Sequence, residues 1–288
     1  KTALVTVLTT SIFLFCYLQD SAMTASLEGS PVSAFYYADK LFTPLTTTLI
    51  YSISTVLFPK FSHQYASGGK EAYLSYIWNV LRTTLVLVLP VSALLAAFGT
   101  PIVQVLFQGG NFGADSTAAT GAIFTIYALS MAGFCALDLL SKAYYTMERT
   151  LEPLLVNAGV LGCNWVLNRL LGPRWGGAGL AAATAASITL GGAVMACLLL
   201  RRVKGLRLGP LVKSGAATLL VGGALYAVTG LVLTGLEGKA LLVVKCVGLG
   251  AAAMAVYALA LVCLRQEDLL LFLGRKKSPK EDEFPPNP

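Results

Sequence analysis

Long apolar runs, each of about 20 residues and each closed by a short polar, glycine or proline break, recur along the 288 residues. A helical run of that length crosses the hydrocarbon core of a bilayer. The pattern predicts helices at about Ala3–Leu27, Val32–Pro59, Ala72–Phe98, Asp115–Met147, Leu151–Leu171, Gly177–Leu200, Leu208–Leu233 and Lys239–Leu264. The expected fold class is therefore all-α, a polytopic membrane protein of about eight transmembrane helices. One further apolar piece, Thr100–Phe112 (TPIVQVLFQGGNF), is too short to span. It is expected to be interfacial or re-entrant and packed on protein.

Polar residues inside the runs carry the candidate chemistry. Asp39 and Lys40 lie in the second run, roughly 10 Å from its outer end. Hydrocarbon does not solvate a charge, so such residues face a cavity or a partner. Neighbours on a helix point about 100° apart, so the two cannot simply neutralise each other. Each is expected to have another partner, a second helix or, for Lys40, an anionic substrate. Cavity lining is the preferred reading; a structural interhelical pair or snorkelling is the alternative. Asp138 and Lys142 stand four apart, acid first, near the cytoplasmic end of the fourth helix. That order suits an i,i+4 ion pair; a structural pair is the plainer reading and gating the alternative. Asp20 lies in QDSAMTAS, the polar outer end of the first helix, and Asn157 and Asn164 share a face of the fifth. These residues suit either a cation or interhelical hydrogen bonds, the latter being the plainer reading for the asparagines. Lys245, in the outer third of the eighth helix, can snorkel.

Charge outside the runs orients the bundle. The breaks after the second, fourth and sixth helices and the C-terminal tail hold most of the basic residues, among them Lys60, Lys70, Arg149, Arg201, Arg202, Lys204, Arg207 and Arg275. The opposite breaks hold only Arg169, Arg174 and Lys239. The positive-inside rule then places both termini of this chain in the cytoplasm. Hydrophobic residues make up 56% of the chain and charged ones 12%, well below the roughly 25% charged of a soluble domain. The net charge of +7 thus reflects topology. No basic stripe interleaved with aromatics suggests nucleic acid. Cys16, Cys135, Cys163, Cys197, Cys246 and Cys263 all fall in apolar runs without CxxC spacing, as expected of free packed thiols. His63 is the lone histidine. Hydrolase, phosphate-loop and zinc-protease motifs are absent, so no enzyme, metal site or cofactor is expected.

Breakers add detail. Pro44 and Pro90 fall inside the second and third helices, where each removes a backbone hydrogen bond and favours a kink. Pro44 is expected to loosen the helix near Asp39 and Lys40. Small-residue runs at Gly176–Ser187 and Gly248–Ala255 suit close helix packing. Arg265–Lys277 suits a short helix at the inner surface, and the charged, proline-rich Ser278–Pro288 is expected to be disordered. No cleavable signal peptide is evident after Lys1, and a chain without an initiator Met reads as a fragment.

Five segments together carry a family resemblance: SAFYYADKL (Ser33–Leu41), TVLFPKFSHQYASGG (Thr55–Gly69), PIVQVLFQGGNF (Pro101–Phe112), AYYTMERTLEP (Ala143–Pro153) and GGAGLAAATAAS (Gly176–Ser187). They resemble the lipid II flippases, the MurJ/MviN family of the MOP exporter superfamily, over roughly Ala3–Arg202. The resemblance implies the last eight of fourteen helices. Residues 1–202 would form a six-helix C-terminal lobe, 203–264 two additional helices grooved for a polyprenyl tail, and 265–288 a cytoplasmic tail. It implies a V-shaped cationic cavity with alternating access, translocation of lipid II across the cytoplasmic membrane, and an N-terminal lobe in the same protein or a separate chain. Asp39 and Lys40 fall on the family's charged dipeptide, usually Asp-Arg; the lysine keeps the charge but loses the bidentate fork. Thr43 stands where some members are acidic. A MOP-type exporter of another lipid-linked oligosaccharide or a drug, and a non-transporting membrane scaffold, are the competing readings.

Overall fold

A computed structural model describes residues 14–25, 32–202, 209–232 and 238–263. All of these segments are helical or short turns. The helices are α1 (14–25), α2 (Val32–Thr46), α3 (Ser52–Ala97), α4 (Gly99–Phe107), α5 (Ala114–Thr146), α6 (Leu151–Leu200), α7 (Gly209–Val232) and α8 (Lys239–Cys263). A π-helical turn, Thr47–Tyr51, joins α2 to α3. Six helical segments among the described residues are long and apolar enough to cross a membrane. The expected inner-surface helix at Arg265–Lys277 and the expected disorder of Ser278–Pro288 lie outside the described residues.

Two glycines convert long helical stretches into hairpins. A straight 50-residue helix would be about 75 Å long, more than twice a bilayer core. At Gly176 the backbone takes φ 59° and ψ −139°, and α6 folds back on itself. The arms approach so closely that a Cβ on Gly179 would collide with the carbonyl of Leu171. Asn164, on one arm, donates to Thr184 Oγ1 on the other at 2.7 Å. This hairpin comprises the expected fifth and sixth helices.

The corresponding turn in α3 is at Gly69, where φ is 71°. The second span therefore runs on to Ser67 rather than ending at Pro59. Pro59 removes one backbone donor but does not stop a helix whose flanking turns remain bonded. Phe61, beyond it, is fully buried, and Tyr65 packs edge-on against Tyr73 at 5.0 Å between centroids. The helical backbone also continues through Pro44 and Pro90. The distortion lies at the π turn three residues after Pro44, not beside Asp39 and Lys40. A π turn is a common adjustment where the i→i−4 ladder is interrupted.

α5 is the hub, with buried residues on nearly every side. Tyr73 of α3 donates to the Ala143 carbonyl at 3.0 Å and Ser92 to the Ala128 carbonyl at 2.6 Å, tying α3 to α5. Glycine lets α6 and α5 meet: a Cβ on Gly192 would strike the Gly133 carbonyl, and one on Gly133 would strike Thr189. The short Thr100–Phe112 piece forms the nine-residue α4, packed on α5 where Gly99 meets Thr125 and Gly121 meets Thr100, and closes with a turn bridging Gly109 and Phe112. α7 and α8 pack behind α3, where the Tyr257 hydroxyl donates to the Val86 carbonyl and meets Ser214.

Candidate substrate cavity

A cavity of about 470 Å³ opens among α1, α2, the π turn, α5 and the second arm of α6. Its wall brings together Asp20, Asp39 and Lys40, three residues singled out by their charge inside apolar runs. Threonines line the α2 side, including Thr43, Thr46 and Thr47. Thr46 Oγ1 is buried without a hydrogen-bond partner. Tyr127 and Phe134 of α5 form an aromatic floor.

Both members of the charged dipeptide use neighbours one turn away on their own helix. Thr43 Oγ1 donates to Asp39 Oδ1 at 2.8 Å. Lys40 Nζ arches back over the Tyr36 ring, 5.2 Å from its centroid. The expected interhelical partner is not among the described residues. Lys40 is exposed and Asp39 half-buried. Thr43 thus orients the Asp39 carboxylate.

Asp20 is the most enclosed of the three, with 1% of its surface exposed. Asn168 Nδ2 donates to its Oδ1 at 2.6 Å and Thr184 Oγ1 to its Oδ2 at 2.5 Å. Asn164 Oδ1 accepts from Asn168 at 3.1 Å and from Gln19 Nε2 at 2.9 Å. A cluster of oxygens and amides therefore ties α1 to both arms of α6. Asn168 Oδ1 is buried and takes no donor. Such a donor set, one carboxylate with neutral oxygens, suits a proton or a small hard cation. Asn157, the other asparagine on that face, donates to the Pro153 carbonyl of its own helix at 2.8 Å. Sequence reasoning missed Asn168, Thr184 and Gln19. The one available signal was spacing, since Asn168 extends the Asn157–Asn164 face by one turn.

Asp138 and Lys142 lie apart from this group. They form the i,i+4 pair at 3.0 Å, and Ser54 of α3 also donates to Asp138 Oδ2 at 2.5 Å. Lys142 Nζ lies 5.1 Å from the centroid of Tyr51, which lines the cavity. The pair thus clamps the inner half of the cavity helix to α5, immediately past the π turn. Arg82 sits half-buried in the second arm of α3.

Membrane-length helices around a polar, charge-bearing cavity define a polytopic membrane protein. Comparison with known proteins makes this specific. The family model "Lipid II flippase MurJ" matches residues 1–268, and the chain belongs to that family. A probable lipid II flippase MurJ from Buchnera aphidicola (strain APS) is 30% identical over 152 residues, 53% of this chain and 30% of that protein. The lipid II flippase MurJ of Burkholderia cenocepacia is 27% identical over 158 residues, 55% of this chain and 31% of that protein. A solved structure of lipid II flippase MurJ in an inward closed conformation matches with a TM-score of 0.71 and 20% identity, covering 89% of this chain and 52% of that one. A MOP superfamily transporter from Pyrococcus furiosus matches with a TM-score of 0.59 and 15% identity, over 94% of this chain and 66% of that one. The aligned part is about 30% of each curated relative described here and about half of the MurJ structure. Family and helices together make it a multi-pass protein of the bacterial inner membrane.

Proposed function

We propose that this chain is the C-terminal part of a flippase that moves lipid II across the cytoplasmic membrane by alternating access. The observation that carries the reading is Lys40, an exposed ammonium in a membrane-spanning helix, on the wall of a cavity in a chain of this family. Lys40 is the ligand for the substrate pyrophosphate. Leaving the Tyr36 face for a doubly anionic group exchanges a weak cation–π contact, about 1 kcal/mol, for a charge-assisted hydrogen bond. Asp39, held by Thr43, keeps the cavity polar beside it. Residues 1–202 form the carrier lobe, 203–264 the two helices that accommodate the polyprenyl tail, and 265–288 a cytoplasmic tail. The outward faces of α7 and α8, with Leu219, Leu220, Val244 and Val247 exposed, supply an apolar surface for that tail. An N-terminal lobe, in the same protein or a second chain, completes the cavity, and both termini of this chain are cytoplasmic.

One observation favours a second reading. The cavity wall carries two carboxylates, Asp20 and Asp39, against one ammonium, Lys40. A cationic cavity then depends on the other lobe. If that lobe brings no surplus of arginine or lysine, a MOP-type exporter of a different cargo fits better. The test is complementation of a bacterium depleted of its lipid II flippase, using the full-length protein that carries this chain. Wild type restores growth, and Lys40→Ala abolishes it at equal protein level. Normal growth of Lys40→Ala would remove the assigned role, and failure of the wild type itself would favour another cargo.

A further inference from the structure

We propose that the crevice between α1 and the first arm of α6 binds the phosphodiester headgroup of an anionic phospholipid in the outer leaflet. The crevice, of about 500 Å³, is separate from the substrate cavity. Gln19, Ala22 and Met23 form one wall, and Trp165, Arg169 and Pro173 the other.

Arg169 carries the recognition. Its guanidinium carbon lies over the Trp165 ring, 4.3 Å from the centroid. The side chain is exposed, and among the described residues it makes no ion pair. Trp165 is itself 47% exposed. An arginine stacked on an indole keeps its fork of N–H donors pointing outward, the geometry that takes two phosphate oxygens.

Depth favours a lipid. Arg169 lies 18 residues beyond Leu151, roughly 27 Å along the helix, and one to two turns before the reversal at Gly176. That is the headgroup boundary, where tryptophan is enriched. With Gly176 facing outside, the orientation adopted under Proposed function, this is the outer leaflet. Basic residues are scarce on that side of the chain, and the positive-inside bias works against keeping them there. Arg174 and Trp175, both exposed at the turn, add a second arginine and a second tryptophan at this boundary. Free phosphate fits less well. Apart from Arg169 and Gln19 the walls are apolar, and the Gln19 amide already donates to Asn164. An amphiphile satisfies both surfaces, with its phosphodiester on Arg169 and its glycerol and chains against Ala22 and Met23. A lipid seated there also braces Gln19, the link from this crevice to the Asp20 cluster.

The test uses the full-length protein purified in detergent, followed by native mass spectrometry with phosphatidylglycerol, phosphatidylcholine or inorganic phosphate. Wild type retains phosphatidylglycerol over phosphatidylcholine. Arg169→Gln binds it about fivefold more weakly, the worth of one basic residue at a charged membrane surface. Arg169→Lys keeps part of the affinity, which separates loss of recognition from loss of fold. Photoreactive phosphatidylglycerol in the outer leaflet labels the peptide spanning 165–173. Equal retention by wild type and Arg169→Gln overturns the proposal. So does displacement of the lipid by millimolar phosphate, which would mark a free-anion site. Absence of headgroup preference, as when the other lobe covers the crevice, overturns it as well.

Discussion

Asp20 shows what a buried carboxylate requires when no cation faces it. Its two oxygens accept from Asn168 and Thr184, and both donors are fixed in turn through Asn164. Asp20→Asn removes the charge and leaves one acceptor oxygen for two donors. Either Asn168 or Thr184 is then orphaned in a dry site, at a cost of about 1–3 kcal/mol. Purified Asp20→Asn protein is therefore expected to melt several degrees below wild type, and so is Thr184→Val, which leaves Asp20 Oδ2 without its donor and Asn164 Nδ2 without its acceptor. An unchanged melting temperature for Asp20→Asn would mean that the cluster adds nothing to stability. The sequence makes Asp20 conspicuous, because a charge next to an apolar run is easy to see. Its partners are less visible: Thr184 is an ordinary residue in an alanine-rich stretch, and only the hairpin brings it to Asp20.

At the scale of elements, run length was a sound guide to which segments span, and the breaks were a poorer one. α8 starts at Lys239 as expected, where glycine and charge bound it, whereas the other ends of α7 and α8 adjoin residues outside the described ones. The second span runs past its expected end at Pro59, which sits inside a continuing helix, and Gly69 makes the turn. Gly176 makes the equivalent turn with φ 59° and ψ −139°, a region that a side chain penalises by about 1–3 kcal/mol. A Cβ there would meet no neighbouring atom, so the cost is conformational, not steric. Gly176→Ala is expected to destabilise the purified protein by that amount, read as a lower melting temperature, while keeping the fold. A melting temperature equal to wild type would show that the hairpin relaxes without strain. The π turn at Thr47–Tyr51 had no sequence signal beyond Pro44. It lies between the outer part of the cavity helix, with Asp39 and Lys40, and the inner part clamped through Ser54, Asp138 and Lys142.

For the whole molecule, the sidedness of the charges decides which leaflet each end of the cavity meets. Arg149 and Arg202 both bind Glu152, gathering the start and end of α6 into one basic-rich cluster. Arg202 also covers the Tyr144 ring at 5.5 Å. The Gly69 turn lies at the same end of the bundle, since Tyr73 close to it reaches Ala143 near the foot of α5. The Gly176 turn lies a full span away. Moving even one of these basic clusters through a bilayer costs several kcal/mol per charge that is not neutralised, so the basic end is expected on the side where the protein is made. Single cysteines introduced into a variant lacking the native six report this directly. In intact cells or spheroplasts, Ser67→Cys is expected to resist a membrane-impermeant maleimide until the membrane is broken, whereas Trp175→Cys reacts at once. The reverse labelling would invert the bundle, place Arg169 in the inner leaflet, and require lipid II to meet Lys40 from the opposite side of the membrane.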